Sequence, residues 1–230
     1  MKKLFLYIFI VFIFCNITLA QSSLPECDGN DKNISKFSIK HFKMIRKWTN
    51  CQGTAISPKG GKYIGQYKNH KRHGLGTYTY ANGDIYVGEW INHKYAGQGT
   101  YTYANGDIYV GEWKKNKYNA PDNQRERDGQ GTYTYTNGDI YVGEWINHKY
   151  AGHGTYTYAN GDIYVGEWKK NKYNAPDNQR ERDGQGTYTY ANGDIYVGEW
   201  KKGLRHGKGT FTHTNGKIEE GIWKKDKLMK

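Results

Sequence analysis

Aliphatic residues are scarce in this chain of 230 residues. After residue 20, the remaining 210 positions hold only 26 Leu, Ile, Val and Phe together, about 12%. That fraction is typical of disordered proteins, but the same stretch holds 21 Tyr, seven Trp and 30 Gly, and disordered chains lack aromatic residues. A large aliphatic core, as found in most enzymes, is therefore excluded. The composition predicts a thin, aromatic-rich β structure that is punctuated by glycine.

Long hydrophobic runs are also missing, apart from one at the N-terminus. Two lysines precede an apolar run from Leu4 to Phe14. This pattern predicts a signal peptide over residues 1–20 with cleavage after Ala20, and hence an exported protein, periplasmic or extracellular. A membrane anchor is the alternative, but the run is shorter than the roughly 20 apolar residues that a spanning helix needs. Cys15 does not indicate a lipoprotein, because bulky residues precede it.

Cysteine is nearly absent. Without the signal peptide only Cys27 and Cys51 remain, and thiols in an exported protein tend to pair. We expect one disulfide between them, and two unpaired thiols are the alternative.

One pattern recurs along most of the chain. Its clearest copy begins at Tyr86 with Tyr-Val-Gly-Glu-Trp, continues after a polar turn with Gly-Gln-Gly-Thr-Tyr-Thr-Tyr, and ends with Ala-Asn-Gly-Asp-Ile. Copies begin 23 residues apart, except that two of them run to 32 residues. A half copy starts near Gly53 and a degraded copy starts at Glu219. The six full copies begin at Tyr63, Tyr86, Tyr109, Tyr141, Tyr164 and Tyr196.

The pattern Tyr-x-Gly-x-Trp followed by Gly-x-Gly closely resembles the MORN repeat (membrane occupation and recognition nexus), over about three quarters of the chain. The departures are local: Tyr67 stands where Trp is expected, Glu219 stands where Tyr is expected, and two copies carry a nine-residue insertion. The resemblance implies structural roles for the Tyr, Gly and Trp of five copies: Tyr86, Gly88, Trp90, Tyr109, Gly111, Trp113, Tyr141, Gly143, Trp145, Tyr164, Gly166, Trp168, Tyr196, Gly198 and Trp200.

Each repeat also reads as a β-hairpin. Asn105-Gly106 lies between segments that alternate with period two, which predicts a two-residue type I′ turn. That turn would place Tyr103 opposite Ile108 and Tyr101 opposite Val110, with aromatic rings on both faces of the sheet. The predicted fold is all-β, an elongated single-layer antiparallel meander of stacked hairpins with a short N-terminal capping segment.

The repeat boundaries divide the chain into four parts. We predict a signal peptide over residues 1–20, a disulfide-tied cap over 21–50, the repeat array over 51–224, and a basic tail over 225–230.

An internal duplication argues against catalysis. Residues 86–140 and 141–195 match at 53 of 55 positions, so the polar residues of the middle exist twice, whereas an active site needs one asymmetric cluster. No catalytic or phosphate-binding motif is present. The only weak candidates for a metal site are the histidine pairs His70 with His73 and His148 with His153, which read better as solvated turn residues. We therefore expect no enzyme activity, no cofactor and no metal.

The positive charge is concentrated at the two ends. Residues 21–85 carry a net charge of +7 and residues 196–230 carry +5, while each 55-residue duplicate carries −1. A nucleic-acid binder would need a continuous basic stripe, so we expect no nucleic acid as a partner. Basic ends favour an anionic membrane or cell-envelope polymer, or they serve only to keep the ribbon soluble.

The two insertions, from Lys117 to Asp128 and from Lys172 to Asp183, lengthen the same turn and should leave the same edge of the ribbon. Long loops on a rigid scaffold often carry binding residues, and a tolerated polar bulge is the alternative. The candidate partner-binding residues are Tyr118, Arg125, Arg127, Tyr173, Arg180 and Arg182.

Residues 34–48 form the one helix candidate. An apolar face is predicted to carry Ile34, Phe37, Met44, Ile45 and Trp48. The helix either caps the first strand edge of the array or lies on a membrane surface. The candidate membrane-surface residues are Lys36, Lys40, Lys43, Arg46 and Lys47.

Together these observations predict a non-catalytic exported scaffold that binds a protein partner through its aromatic faces or its paired loops. The alternative is a peripheral binder of anionic lipid or envelope polymer through the basic ends. Exposed strand edges at the ends of the ribbon also allow two copies to pair edge to edge as a homodimer.

Overall fold

The computed structural model describes residues 23–114, 126–169 and 181–229. It contains one helix, α1 (Ile39–Ile45), and one antiparallel sheet of fifteen strands whose spatial order is the order along the chain. The predicted all-β meander is therefore confirmed. The strands are β1 Cys51–Ile56, β2 Lys62–Lys68, β3 Lys71–Thr79, β4 Ile85–Ile91, β5 Lys94–Thr102, β6 Ile108–Trp113, β7 Arg127–Thr134, β8 Ile140–Ile146, β9 Lys149–Thr157, β10 Ile163–Trp168, β11 Arg182–Thr189, β12 Ile195–Lys201, β13 Leu204–Thr212, β14 Ile218–Lys224 and β15 Lys227–Leu228.

The predicted hairpin register was wrong by one residue. Tyr101 lies opposite Tyr109, and Thr102 lies opposite Ile108. The cause is a three-residue loop: the Gly106 amide donates to the Tyr103 carbonyl at 2.9 Å, and of the loop residues only Gly106 has a positive φ, of 92°. This is a type I turn closed by a left-handed glycine, whereas a type I′ turn needs positive φ at both central residues.

The type I′ geometry occurs at the opposite edge of the sheet. Asn92 and His93, between β4 and β5, have φ values of 49° and 70°. The pairs Asn69-His70 and Asn147-His148 repeat this geometry in the equivalent turns.

The corrected register separates the residues by face. A slip of one residue moves every side chain to the other side of a sheet. The repeat tyrosines and tryptophans therefore share one side, which we call the front face, and Thr, Val and Ile share the other, which we call the back face. The expectation of aromatic rings on both faces was wrong.

The helix is shorter than the predicted span of 34–48. Ser38 caps it by accepting a hydrogen bond from the His41 amide at 3.1 Å. The Lys47 amide bonds to the carbonyl three residues earlier, which ends the helix and turns Trp48 inward. Trp48 is buried and its Nε1 donates to the Asp28 carbonyl at 2.8 Å.

The N-terminal segment covers the outer edge of β1. The Cys27–Cys51 disulfide is confirmed, with a Cα–Cα distance of 4.9 Å. Amide–carbonyl bonds join Gln52 to both Pro25 and Cys27 at 2.8 Å, so this part of the edge is paired rather than open. The cap thus occupies part of the strand edge that the array would otherwise expose.

The predicted C-terminal tail is partly structured. Lys227 and Leu228 form β15, which pairs with β14, and Leu228 packs beside Trp223. No helix among the described residues is long and apolar enough to cross a membrane. The predicted signal peptide lies outside the described residues.

Candidate functional site

The front face is built around a tyrosine that lies over two glycines. Tyr86 is fully buried, and its ring covers the Cα positions of Gly88 and Gly99, which face each other across β4 and β5. Its hydroxyl donates to the Glu89 carbonyl at 2.9 Å. Only glycine leaves room for the ring at these two positions. The same arrangement holds Tyr63, Tyr109, Tyr141, Tyr164 and Tyr196.

Each of the five repeat tryptophans from Trp90 to Trp200 bridges two neighbouring repeats. The Trp113 ring meets Tyr109 of its own repeat at 5.1 Å and Tyr86 of the preceding repeat at 5.5 Å, both edge to face. Its Nε1 donates to the Gly99 carbonyl at 3.1 Å. The rings thus form a continuous ladder along the front face, and each ring buries its neighbours although no second sheet covers them.

The ladder begins with a substitute for a missing tryptophan. Tyr67 occupies the tryptophan position of the first full repeat, and Trp48 of the cap meets its ring edge to face at 5.0 Å. Trp48 of the cap therefore makes the ring contact that a preceding repeat makes elsewhere in the ladder.

In each full repeat, one further side chain packs on the rings of the ladder and covers them. Tyr95 stacks on Tyr86 with ring centroids 3.5 Å apart, and Tyr150 does the same on Tyr141. In the other repeats an arginine takes this place, with its guanidinium 4.3 to 4.6 Å from the centre of a tryptophan ring. These arginines are Arg72, Arg127, Arg182 and Arg205.

Two of the six candidate partner-binding residues are therefore parts of the ladder. Arg127 lies over Trp145 and donates through Nη2 to the His148 carbonyl at 3.2 Å. Arg182 lies over Trp200 in the same way. Sequence reasoning assigned both to the insertions because both lie within the inserted stretches, one residue before their ends. The remaining four, Tyr118, Arg125, Tyr173 and Arg180, lie outside the described residues.

Both insertions do leave the same edge of the sheet. The Lys114 amide bonds to the Glu126 carbonyl at the base of the first, and the Lys169 amide bonds to the Glu181 carbonyl at the base of the second, each at 3.1 Å. The two bases are four strands apart, which corresponds to about 19 Å.

Aspartates at the hairpin edge connect one repeat to the next. Asp107 accepts hydrogen bonds from the Tyr133 hydroxyl and the Thr136 amide, both at 2.9 Å. Burial by itself raises the pKa of this carboxyl, but the bonds from Thr136, Asn105 and Tyr133 hold it below its usual value. The negative charge of Asp107 is thus stabilised by donors of the next repeat, and these bonds hold the neighbouring hairpins together.

The phenols of the ladder are inert at physiological pH. Burial raises the pKa of Tyr196 to about 12 and raises the pKa of Tyr86 further. Both hydroxyls stay protonated and act as hydrogen-bond donors.

The four histidines singled out in the sequence do not converge. His70 and His148 lie in tight turns, and Nδ1 of His148 accepts from the Arg127 amide at 3.3 Å. Burial lowers the pKa of His73, and His153 is exposed. No group of three or more His, Cys, Asp or Glu in the described part of the chain could hold a metal ion.

His93 shows what these turn histidines do. Its Nδ1 accepts from the Arg72 amide at 3.3 Å, which requires a neutral ring. Partial burial, with Arg72 and Lys71 nearby, lowers its pKa to about 4. The ring is a structural acceptor in a turn.

The back face is exposed, and sequence reasoning missed it. Two adjacent rows run across the sheet, and from β3 to β13 they contain 22 residues without one charge. Val142 and Val165 are 50% and 52% exposed. One row is Thr77, Val87, Thr100, Val110, Thr132, Val142, Thr155, Val165, Thr187, Val197 and Thr210, and the other is Thr79, Ile85, Thr102, Ile108, Thr134, Ile140, Thr157, Ile163, Thr189, Ile195 and Thr212.

The sequence does contain a pattern that predicts this face. In the segments Thr-Tyr-Thr and Ile-Tyr-Val the tyrosine is central, so when the two tyrosines lie opposite each other, Thr, Ile and Val all lie on the other side of the sheet. The predicted register was wrong by one residue and therefore did not show this separation.

The cap carries a second exposed apolar group, which we call the cap patch: Phe37, Ile39 and Phe42. Ile39 is 68% exposed, and the rings of Phe37 and Phe42 lie 6.1 Å apart. The inward side of α1 instead carries His41, whose Nε2 bonds to the Thr54 carbonyl at 2.8 Å, together with Met44 and Ile45.

All five candidate membrane-surface residues are exposed, and the Arg46 guanidinium lies 5.3 Å from the centre of the Phe42 ring of the cap patch: Lys36, Lys40, Lys43, Arg46 and Lys47. The sequence placed Phe37 on the inward face, but the helix starts only at Ile39, so its geometry does not govern Phe37.

Solved structures similar to the chain share little sequence with it. The SAS-4 (dCPAP) TCP domain of Drosophila melanogaster, in complex with a proline-rich motif of Ana2 (dSTIL), is 18% identical, with 75% of this chain and 90% of that chain covered and a TM-score of 0.38. The G-box domain of the microcephaly protein CPAP is 12% identical, with 75% and 99% covered and a TM-score of 0.34. A catalytically inactive virginiamycin B lyase from Staphylococcus aureus with quinupristin is 15% identical, with 75% and 69% covered and a TM-score of 0.14. These scores are too low to relate the chain to those proteins.

No curated protein matches the chain. The family model of the MORN repeat matches eight segments that together cover more than half of it: residues 63–85, 86–108, 109–119, 126–140, 141–163, 164–174, 181–195 and 196–218. Their boundaries follow the Tyr-x-Gly-x-Trp ladder described above. The chain therefore belongs to the MORN repeat family.

Proposed function

We propose that this repeat scaffold is exported, is not catalytic, and binds a protein through its back face. The observation that carries the proposal is the uncharged double row of Thr, Val and Ile on a chain in which 24% of residues are charged. Large exposed apolar surfaces mark interaction sites in soluble proteins. The aromatic rings are not available for this role, because they bury one another.

Export to the periplasm or the cell exterior rests on two supports. The Cys27–Cys51 disulfide is typical of oxidising compartments. The pattern of residues 1–20 predicts a signal peptide.

The absence of catalysis is a proposal with a structural support. The aspartates of the hairpins accept structural hydrogen bonds, and the phenols of the ladder stay protonated. The duplication also repeats this set of groups instead of assembling one distinct cluster.

Affinity capture tests the proposal. We would immobilise the mature chain, residues 21–230, and compare what it retains from an envelope extract with what the double variant Val142→Lys and Val165→Lys retains. Both valines are exposed, so lysine is tolerated in the isolated fold. The matched control, Ile39→Lys with Phe42→Lys, changes two exposed residues of the cap.

We expect the back-face variant to lose the retained protein and the cap variant to keep it. Equal capture by all three forms would refute binding through the back face. It would then favour the inserted loops, with Tyr118, Arg125, Tyr173 and Arg180 as the next residues to change.

A second candidate function is contact with an anionic membrane surface through the cap patch. Three exposed apolar side chains sit among five exposed basic ones, which is the composition of an interfacial anchor. Each basic residue near an anionic surface contributes about 1 kcal/mol, and the attraction is screened by salt.

Flotation with vesicles that contain anionic lipid tests this candidate. The mature chain should float with the vesicles at low salt and stay behind at high salt, and Ile39→Lys with Phe42→Lys should abolish flotation. Here Val142→Lys with Val165→Lys is the control. Absence of flotation at low salt would remove the candidate.

A further inference from the structure

We propose that the occupant of the back face is a second copy of this chain, stacked face to face about a two-fold axis that runs along the length of the ribbon. The inference rests on the proposed function, since it names the partner of the same face.

The size of the face suits a dimer. Eleven strands at about 4.8 Å make the uncharged rows about 53 Å long, and two residues along each strand make them about 14 Å wide. The product is roughly 700 Å², close to the roughly 800 Å² that each partner contributes to a stable interface of standard size. Every β-sheet twists with the same hand, so the two ribbons have the same twist along their length. They can therefore coil around each other and stay in contact from end to end, as paired sheets do in cross-β assemblies.

The alternation of strands makes the face complementary to itself. Odd-numbered strands from β3 to β13 present Thr in both rows, and even-numbered strands from β4 to β12 present Ile and Val. A two-fold axis along the ribbon lays each strand over the same strand of the second copy. Threonine hydroxyls then face threonine hydroxyls, which can bond to one another, and Val faces Ile.

A row of glutamates determines the orientation. Beside the valine row the back face carries five glutamates, and each accepts a hydrogen bond from a backbone amide of the following strand: Glu89, Glu112, Glu144, Glu167 and Glu199. A two-fold axis parallel to the strands would lay this row over itself and bring like charges together. The axis along the ribbon exchanges the two uncharged rows and leaves the glutamates at opposite rims, where solvent reaches them.

The mass of the purified mature chain tests the inference. Light scattering should give twice the mass of one chain at about 10 µM, where an interface of standard size associates. Val142→Lys with Val165→Lys should weaken the dimer about 100-fold or more, because it buries two unpaired charges per copy. The control variant Ile39→Lys with Phe42→Lys should remain a dimer. Near-ultraviolet circular dichroism of the aromatic ladder verifies that each variant is folded.

A distance measurement tests the orientation. A spin label on Ile218→Cys, at an exposed site of β14, should report a separation below about 25 Å, because β14 lies over β14. With the axis parallel to the strands, the labels would be twelve strand spacings apart, about 58 Å. The longer distance would overturn the proposed stack.

The possible failures are distinguishable. A wild-type protein that is monomeric, or a back-face variant that stays dimeric, overturns the inference of a second copy. If the purified protein is monomeric and the back-face variant still loses a captured protein, the proposed function stands with a different partner.

Discussion

Five hairpin loops contain the sequence Asn-Gly-Asp, and the aspartate of each loop connects its repeat to the next one. In the first four pairs the tyrosine of the next repeat donates its hydroxyl to the carboxylate, as Tyr188 does to Asp162 at 2.6 Å. In the fifth pair Phe211 stands in place of that tyrosine, and Asp194 keeps the Thr214 amide as a donor at 2.9 Å. The set of aspartates is Asp84, Asp107, Asp139, Asp162 and Asp194.

This difference predicts opposite effects for two reciprocal substitutions. Tyr133→Phe removes the donor to Asp107 and should lower the free energy of unfolding by about 1 kcal/mol. Phe211→Tyr adds the missing donor to Asp194 and should raise it. Urea denaturation followed by tryptophan fluorescence measures both. A stability of Phe211→Tyr equal to or below that of the wild type would contradict the role given to these hydroxyls.

The same carboxylates predict acid sensitivity. The pKa values of Asp107, Asp162 and Asp194 lie below the usual aspartate value in the folded chain. Each therefore binds a proton more readily when unfolded, so its contribution to stability is complete above about pH 4 and is lost as the pH falls below that value.

We expect the free energy of unfolding to decrease as the pH falls below about 4, and Asp107→Asn to reduce that slope. Denaturation curves at a series of pH values measure it. An unchanged slope in the variant would show that Asp107 does not contribute to the linkage.

At the scale of the hairpin, the glycine pairs decide how close the rings can lie. A Cβ atom on Gly99 would be 2.5 Å from the Tyr86 hydroxyl oxygen and 2.7 Å from two ring carbons. Tyr86 has no free space to move into, because it is fully buried between Trp90, Trp113 and Tyr95.

Gly99→Ala should therefore destabilise the protein by about 3 kcal/mol, the upper end of the usual cost of overpacking. The matched control is Gly216→Ala, at a loop glycine with φ of 85° where nothing lies within 4 Å of the added Cβ. It should cost about 1 kcal/mol from backbone strain alone. Chemical denaturation compares the two, and equal costs would mean that the Tyr86 ring can shift.

The elements could be predicted from the sequence more easily than their register. The 23-residue period and the Asn-Gly loops predict hairpins in the right places. The register failed because Asn105-Gly106 fits a two-residue and a three-residue loop equally well by composition, and the choice depends on whether Asn105 adopts a positive φ. Pairing Gly99 with Gly111 settles it: the ring of Tyr86 covers the first glycine and the ring of Tyr109 covers the second, and both rings are held by contacts between repeats.

The roles of the arginines could not be predicted from local pattern. Arg127 lies at the end of a polar insertion, and its place over the rings of Trp145 and Tyr109 depends on how two repeats stack. Arg72, at the start of a repeat without an insertion, has the same position relative to Trp90. Comparison of the two copies was the available signal, since both are followed by the same Gly-x-Gly segment.

At the scale of the whole molecule, the buried rings form one continuous row along the sheet, and there is no single central core among the described residues. Each strand pairs only with its neighbours in the chain, and each ring contacts rings of the adjacent repeats. Stability should then be a near-additive sum of repeat and interface contributions. A segment that contains a whole number of repeats should be removable without loss of the fold.

The last prediction concerns removal of residues 86–140, which joins Ile85 to Tyr141. This deletes four strands, so the product should be folded and about 19 Å shorter. The new interface is nearly native, because Arg72 would cover Trp145 as Arg127 does: the guanidinium distance to the tryptophan ring is 4.6 Å for Arg72 over Trp90 and 4.5 Å for Arg127 over Trp145.

The matched control removes one residue fewer, 86–139, and joins Ile85 to Ile140. It keeps the composition but shifts the register by one, which turns the ring ladder of β8 onto the back face. We expect circular dichroism and small-angle scattering to show a folded, shorter ribbon for the first deletion and an aggregated or unfolded chain for the second. If both collapse, the protein depends on a core shared by all its repeats; if both fold, the register does not hold the ladder together. Either result would contradict the additive ribbon on which the binding face and its dimer are built.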